Sequence, residues 1–325
     1  MPVFDRFQLE KLSQQTGFVR DNLEKVYRLT EILSFLNQDE RLGEKLALKG
    51  GTAINLTIFD MPRLSVDIDL DYDRRCTREE MLEERPLITD TIQRYMSLNG
   101  YALHPGTKNP HSLDSWVYMY TNAGGNRDNI KIEVNYMMRN HILPTVETSA
   151  AIAGLPAFTV RTLHPTELFA SKIKAFVERH TCRDLYDVYQ MVNRGLAREF
   201  DHDLLRKMVL FYLAVGGSDL PQVKYDLSFC DTINYPQIRA TLVPMLRKSE
   251  KFDFEEAKRV VSLFLTELLD FSEQEKRFVE EFNAGHYTPS LLFDDSSIIE
   301  RVENHPMALW KMQHWANNDT TNIDI

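Results

Sequence analysis

Apolar positions recur at two different periods along the chain, and the change between them divides it. Within residues 4–38, Leu23, Val26, Leu29, Leu33 and Leu36 return at steps of three and four between charged positions, which predicts helix. From Leu46 the texture shortens to a strand at Leu46-Ala47-Leu48, a turn at Gly50-Gly51, a helix at 52–59 and a strand at 65–72. A helix is expected over 78–98, and strands over 115–120 and 130–136 joined by Asn122-Ala123-Gly124-Gly125-Asn126. After His164-Pro165 the pattern is helical nearly throughout, at 167–179, 183–192 and 203–215. Two later helices are expected to begin with capping boxes, Asp253 with Glu256 and Ser272 with Glu275. The tail from Asn317 is polar and terminal and is expected to be loose. The fold class is therefore α+β, a mixed sheet with flanking helices followed by an α-helical C-terminal bundle. Its expected parts are an N-terminal helical element at 1–40, an α/β core at 41–163 and a helical domain at 164–325.

At 325 residues the chain exceeds one average domain. The longest apolar run, Met208–Val215, is too short to span a bilayer, and the N-terminus lacks a signal-like pattern, so no membrane partner and a cytoplasmic location are expected. Cys76, Cys182 and Cys230 are too scattered for a disulfide framework or a zinc site. A net charge of −10 argues against nonspecific coating of nucleic acid, although a local basic groove remains compatible with it.

Three groups of residues carry candidate chemistry. Gly50 and Gly51 stand at a strand-to-helix junction, where bare backbone N–H groups can meet a phosphate, and Thr52 adds a hydroxyl. An ordinary tight turn explains a lone glycine pair equally well. On the following strand a period of two sends Asp67, Asp69 and Asp71 to one face, where like charges need a compensating cation or full solvation. Two carboxylates with substrate phosphate oxygens make a magnesium site. Acids that protect an edge strand from aggregation are the plainer alternative. Glu133, between Ile132 and Val134, can add a third acid as metal ligand or base, or can pair with Lys131 on a wet face. The densest polar pattern follows His164. Lys172 and Arg179 share a helix face and can hold a triphosphate, while Arg183, Asp184 and Asp187 lie beyond a break near 180–182. A surface ion-pair network on an amphipathic helix is the alternative there.

With these residues assembled, the chain resembles the AbiEii/AbiGii family of nucleotidyltransferase-like toxins of bacterial abortive-infection and toxin–antitoxin systems, within the polymerase-β-like superfamily. The carriers are Lys49-Gly50-Gly51-Thr52, Arg63 and Ser65 with Asp67 and Asp69, Lys172, and Arg179 through Arg183 and Asp184 to Asp187. The resemblance implies a nucleotidyltransferase-fold core with helices that complete the active site. It implies that Gly51 and Thr52 face the nucleotide, that Asp67 and Asp69 bind metal and that Lys172 contacts phosphate; Lys49, Gly50, Arg63, Ser65, Arg179 and Arg183 join as nucleotide-binding candidates, and Glu133, on its strand position alone, as a third metal candidate. Catalytic roles fall to Asp67, Asp69, Lys172, and Asp184 or Asp187. The implied activity is transfer of a nucleotide from a nucleoside triphosphate, with Mg²⁺ or Mn²⁺, to an RNA acceptor such as tRNA, restrained by a cognate antitoxin. A protein or small-molecule acceptor, or a non-catalytic nucleotide-binding role, is the competing expectation.

Overall fold

The computed structural model describes residues 5–107, 112–216 and 227–321, and the chain divides into two compact units. Unit 1 comprises Met1–Arg139, Thr145–Leu163 and Val243–Lys251, and unit 2 the remainder.

Unit 1 begins with α1 (Arg6–Thr16) and α2 (Arg20–Gln38). The single helical stretch expected over 4–38 is broken at Gly17, which caps α1 in the left-handed region with φ +77 and sends its N–H to the Ser13 carbonyl. The sheet strands are β1 (Leu46–Lys49), β2 (Asp67–Tyr72), β3 (Ala102–Leu103), β4 (Leu113–Thr121), β5 (Arg127–Asn135), β6 (Val146–Ala150) and β7 (Phe158–Thr162). Between β1 and β2 runs α3 (Gly50–Thr57), and between β2 and β3 runs α4 (Arg78–Leu98). The last begins in a full capping box between Thr77 and Glu80.

The strands form one mixed sheet in the order β3-β4-β5-β2-β1-β7-β6, as the α+β reading requires. β2 lies centrally, parallel to β5 and antiparallel to β1, and β7 joins β1 in parallel. β2 and its flanking strands bury Leu48, Ile68, Leu70, Ile132 and Val134 on the apolar face of the pleat, each almost fully out of solvent. The packing of α3 on β1 and β2, and of α2 on β7 and β2, covers that apolar surface. Neither β6 nor β7 is visible as periodicity. Val-Glu-Thr-Ser-Ala and Phe-Thr-Val-Arg-Thr are short, and they become strands through their mutual antiparallel register and the edge that β1 offers.

Unit 2 is helical: α5 (Pro165–Arg179), α6 (Cys182–Asn193), α7 (His202–Gly216), α8 (Phe229–Thr232), α9 (Tyr235–Thr241), α10 (Phe254–Leu268), α11 (Glu273–Asn283), α12 (Ser296–Val302) and α13 (Pro306–Thr321). The α5 helix packs on α6 and α7, and α6 on α10. Of the two expected capping boxes, Ser272 with Glu275 is complete, whereas at Asp253 only half forms: its side chain accepts from the Glu256 N–H while the Glu256 carboxylate pairs with Arg259. The tail expected to be loose from Asn317 is helical as far as Thr321, continuing α13, while residues 322–325 lie outside the described residues. Gly217, the end of the apolar run, also lies outside them. Among the described residues no helix is long and apolar enough to cross a membrane.

Candidate active site

In unit 1 the glycine pair and the acid strand meet. Gly50 opens α3 with φ +70, a left-handed conformation that a side chain would resist, and a Cβ there would stand 2.8 Å from Asp69 Oδ2. The Asp69 carboxylate therefore lies against bare backbone at the start of a helix. No side chain caps α3, since Lys49 at the N-cap position has no acceptor to offer. The N–H groups of its first turn and the partial positive charge of the helix end face the same turn. Behind Gly51 lie Arg63 Nη2 and Ser65 Oγ, which a Cβ would approach to 2.7 and 3.1 Å.

Thr52 is buried and fastens this turn to β2. Its hydroxyl donates to the Asp67 carbonyl at 2.5 Å and lies 3.0 Å from Ser65 Oγ. Arg63 is buried too, and donates from Nη1 to the Leu64 carbonyl at 2.9 Å. Thr52, Arg63 and Ser65 thus form the rear wall that sets the spacing between the glycine turn and the acids.

The acids separate by partner. Asp71 is buried and paired with Lys49 at 2.5 Å, so the Lys49 charge is taken up by the strand's own third carboxylate. Asp67 and Asp69 remain half-buried on the pleat face. The parallel register of β2 and β5 sets Asp69 opposite Glu133 and Asp67 opposite Lys131. Glu133 is paired with Lys131 at 2.8 Å, the plainer of its two expected environments, and its register opposite Asp69 makes no three-carboxylate group among the described residues. Burial pushes the Asp69 carboxyl above the usual carboxylate range. Lys49 and Lys131 pull it down, while Asp67 and Glu133 push it further up.

These residues fit a hard divalent cation. The donors are all oxygen, two carboxylates share one strand face, and the more buried one is held where ionisation is costly without a cation. Among the described residues no group of three or more His, Cys, Asp and Glu forms a ready-made metal cage. A magnesium site of this kind needs only one or two carboxylates, with substrate phosphate oxygens and water completing the coordination.

Unit 2 carries the second group. Lys172 on α5 is buried and reaches two acids of α6, Asp184 Oδ1 at 2.9 Å and Asp187 Oδ2 at 3.1 Å. Arg179 donates to Asp184 Oδ2 at 3.1 Å, and the Thr181 hydroxyl to the same oxygen at 2.7 Å. The turn between the helices is fixed by His180, at φ +54, whose ring stacks on Phe229 with centroids 4.0 Å apart. Burial alone would raise the Asp184 carboxyl, but the Lys172 ammonium and Arg179 guanidinium hold it below the usual range. Asp184 and Asp187 thus share the Lys172 ammonium, and Asp184 also takes Arg179 and the Thr181 hydroxyl. Arg183 is half-buried and forms no ion pair with a described residue.

One buried group in unit 2 was not anticipated. Glu167 in the first turn of α5 is fully enclosed and accepts the N–H groups of Ile142 and Leu143, both at 2.9 Å, and the Tyr212 hydroxyl. His141 Nδ1 lies 3.6 Å away. Burial would raise this carboxyl, and the His141 and Tyr212 contacts with the two backbone donors bring it below the ordinary range. Its partners stand 24–45 residues away in sequence, so only a pairing with residues 141–143 and α7 reveals the role.

Comparison with known proteins adds identity to this geometry. The model of the family described as nucleotidyl transferase AbiEii toxin, type IV toxin–antitoxin system, matches residues 34–274. Among solved structures the chain is similar to MenT4, a nucleotidyltransferase toxin from Mycobacterium tuberculosis H37Rv, at a TM-score of 0.64 and 17% identity. The match covers 94% of this chain and 99% of that one, and at this identity it speaks for the fold. No curated protein matches.

Proposed function

The chain belongs to the AbiEii family of nucleotidyltransferase toxins of type IV toxin–antitoxin systems, and from that premise we propose that it transfers a nucleotide from a nucleoside triphosphate to tRNA, with Mg²⁺ on Asp67 and Asp69. The observation that carries the reading is the Asp69 carboxylate lying against Gly50, where a Cβ would stand 2.8 Å from its oxygen. Metal-binding oxygens and a phosphate-binding helix start then address one substrate oxyanion from two sides.

In the step itself the acceptor hydroxyl oxygen attacks the α-phosphorus in line. The new O–P bond forms as the bridge to the β-phosphate breaks, pyrophosphate leaves with its electron pair, and the hydroxyl proton passes to a carboxylate. Glu133, opposite Asp69 and tied to Lys131, is the acid assigned to receive it or to add a ligand. Gly50 and Gly51 admit the phosphates to backbone N–H groups, and Thr52, Arg63 and Ser65 keep the turn and the acids in register. A bound Mg²⁺ or Mn²⁺ supplies Lewis-acid polarisation of the α-phosphate and offsets its charge. Lys172, Arg179, Arg183, Asp184 and Asp187 belong to the proposal on their chemistry: a shared, partly neutralised lysine can exchange one carboxylate for a phosphate oxygen. The family implies a cognate antitoxin encoded with the toxin.

The test is incubation of the purified protein with Mg²⁺, total tRNA and each α-labelled nucleoside triphosphate, beside Asp69→Asn. Label on tRNA with the wild type alone supports the reading. Label on the protein or on small molecules, with none on RNA, replaces the acceptor, a result to which the net charge of −10 gives some weight.

A further inference from the structure

A stretch late in the chain belongs to the unit built mostly by the first half. Val243–Lys251 is flanked in sequence by helices of unit 2, yet it packs within unit 1. There Leu246 forms an isolated antiparallel bridge with Arg63, and the Leu64 N–H donates to the Met245 carbonyl at 2.8 Å. Arg247 Nη2 donates to the Met61 carbonyl at 3.2 Å and to that of Asp60 at 3.5 Å, with its guanidinium 5.3 Å from the centre of the Phe18 ring. The far ends are anchored as well. The Lys248 N–H donates to the Gly17 carbonyl at 2.9 Å, and Asn22 Nδ2 to the Pro244 carbonyl at 2.9 Å.

The loop gripped in this way is strained. Asp60 and Met61 are consecutive and both have φ +55, a region that residues with a Cβ resist. Such a pair persists only where its surroundings over-determine it. The strap holds that pair directly, through the carbonyls of Asp60 and Met61 on Arg247, and again just beyond it, through the Leu64 N–H on the Met245 carbonyl. The same loop runs directly into Arg63 and Ser65, the rear wall of the glycine turn, and then into Asp67. If Asp60 and Met61 relaxed, the acid strand would enter the sheet at a different offset from Gly50.

We infer that the 243–248 strap is a positioning element for nucleotidyl transfer and that Arg247 is its positioning residue, acting through the strained 60–61 backbone on the acid strand. The inference rests on the reading of Asp67 and Asp69 as the acid pair. In-line transfer loses about a hundredfold for a misplacement of about 1 Å, so a partial relaxation of the loop registers in kcat before it registers in folding.

The experiment compares full-length wild type, Arg247→Ala, Arg247→Ala with Asp60→Gly, and Asp69→Asn, reading Mg²⁺-dependent transfer from labelled nucleoside triphosphate to total tRNA well below the melting temperature. Hydrogen exchange of the amides of residues 60, 61 and 63–66 is followed on the same proteins without substrate. Arg247→Ala should lower kcat about tenfold with KM for the nucleotide within about threefold, and should speed exchange at Leu64. Asp60 is exposed, so Asp60→Gly removes only a side chain that resists φ +55 and should return much of both losses. A folded Arg247→Ala with kcat within about twofold of wild type, or with unchanged exchange, overturns the inference. Should that variant not fold, Arg247→Gln carries the same two readouts. Full activity in Asp69→Asn overturns the acid-site reading instead, and loss there with retention in Arg247→Ala overturns only the strap.

Discussion

Gly50→Ala tests the centre of the site, because two independent penalties fall on one methyl group. The residue sits at φ +70, where a Cβ costs about 1–2 kcal/mol. That Cβ also meets Asp69 Oδ2 at 2.8 Å, well inside ordinary contact, so the carboxylate must move by several tenths of an ångström. The combined destabilisation is about 1–3 kcal/mol, which for a unit of this size lowers Tm by roughly 3–10 °C. The catalytic penalty is larger, since the atom that moves is the proposed metal ligand: kcat/KM should fall about 10- to 100-fold. Gly51→Ala is the internal control. It adds a Cβ against Arg63 Nη2 and Ser65 Oγ, far ends of side chains, at a backbone angle without left-handed strain, and should cost less Tm than Gly50→Ala. The assay is thermal unfolding beside initial rates of label transfer. Wild-type kcat/KM in Gly50→Ala, or a greater Tm loss in Gly51→Ala, refutes the reasoning.

Three further outcomes are expected. Because the Asp69 carboxyl is raised, the folded state holds its proton above the pH at which the unfolded chain releases it, and a divalent cation must displace that proton. The rise in Tm caused by Mg²⁺ should therefore grow from about pH 5 to pH 8 and lose this pH dependence in Asp69→Asn; an equal rise at both pH values counts against the site. Lys172→Met leaves Asp184 and Asp187 buried without their shared ammonium and should cost about 3–5 kcal/mol in urea unfolding, whereas an unchanged midpoint would mean the cluster is not buried as described. Glu167 has its carboxyl lowered on folding, so its contribution is fully present above about pH 4.3 and is lost as pH falls through the lower folded value. Glu167→Gln should cost about 1–3 kcal/mol at pH 7 and flatten acid destabilisation below pH 4; unfolding curves at both pH values decide, and an undiminished acid limb would reject the assignment.

Much of the candidate site is local chemistry, and local chemistry is written in the chain. The period of two in Asp67-Ile68-Asp69-Leu70 follows from strand geometry, so the acids could be assigned to one face before any fold was known. The glycine pair at a strand end, the acid between Ile132 and Val134, and the capped starts at Asp253 and Ser272 are likewise properties of neighbouring residues. What the sequence left open was decided by pairing. Lys49 stood beside the glycines as a candidate phosphate ligand, and the antiparallel register of β1 and β2 brings its side chain to buried Asp71. Glu133 became a neighbour of Asp69 only through the parallel register of β5 with β2, two strands more than sixty residues apart in the chain. β6 and β7 were invisible for a related reason, since five weakly alternating residues acquire strand character from an edge and not from their own propensity. Glu167 and the 243–248 strap show the same division most plainly. A residue's type and period fix which way its side chain points, whereas the identity of its partner depends on contacts whose loop-closure cost and packing reward are set by the whole fold.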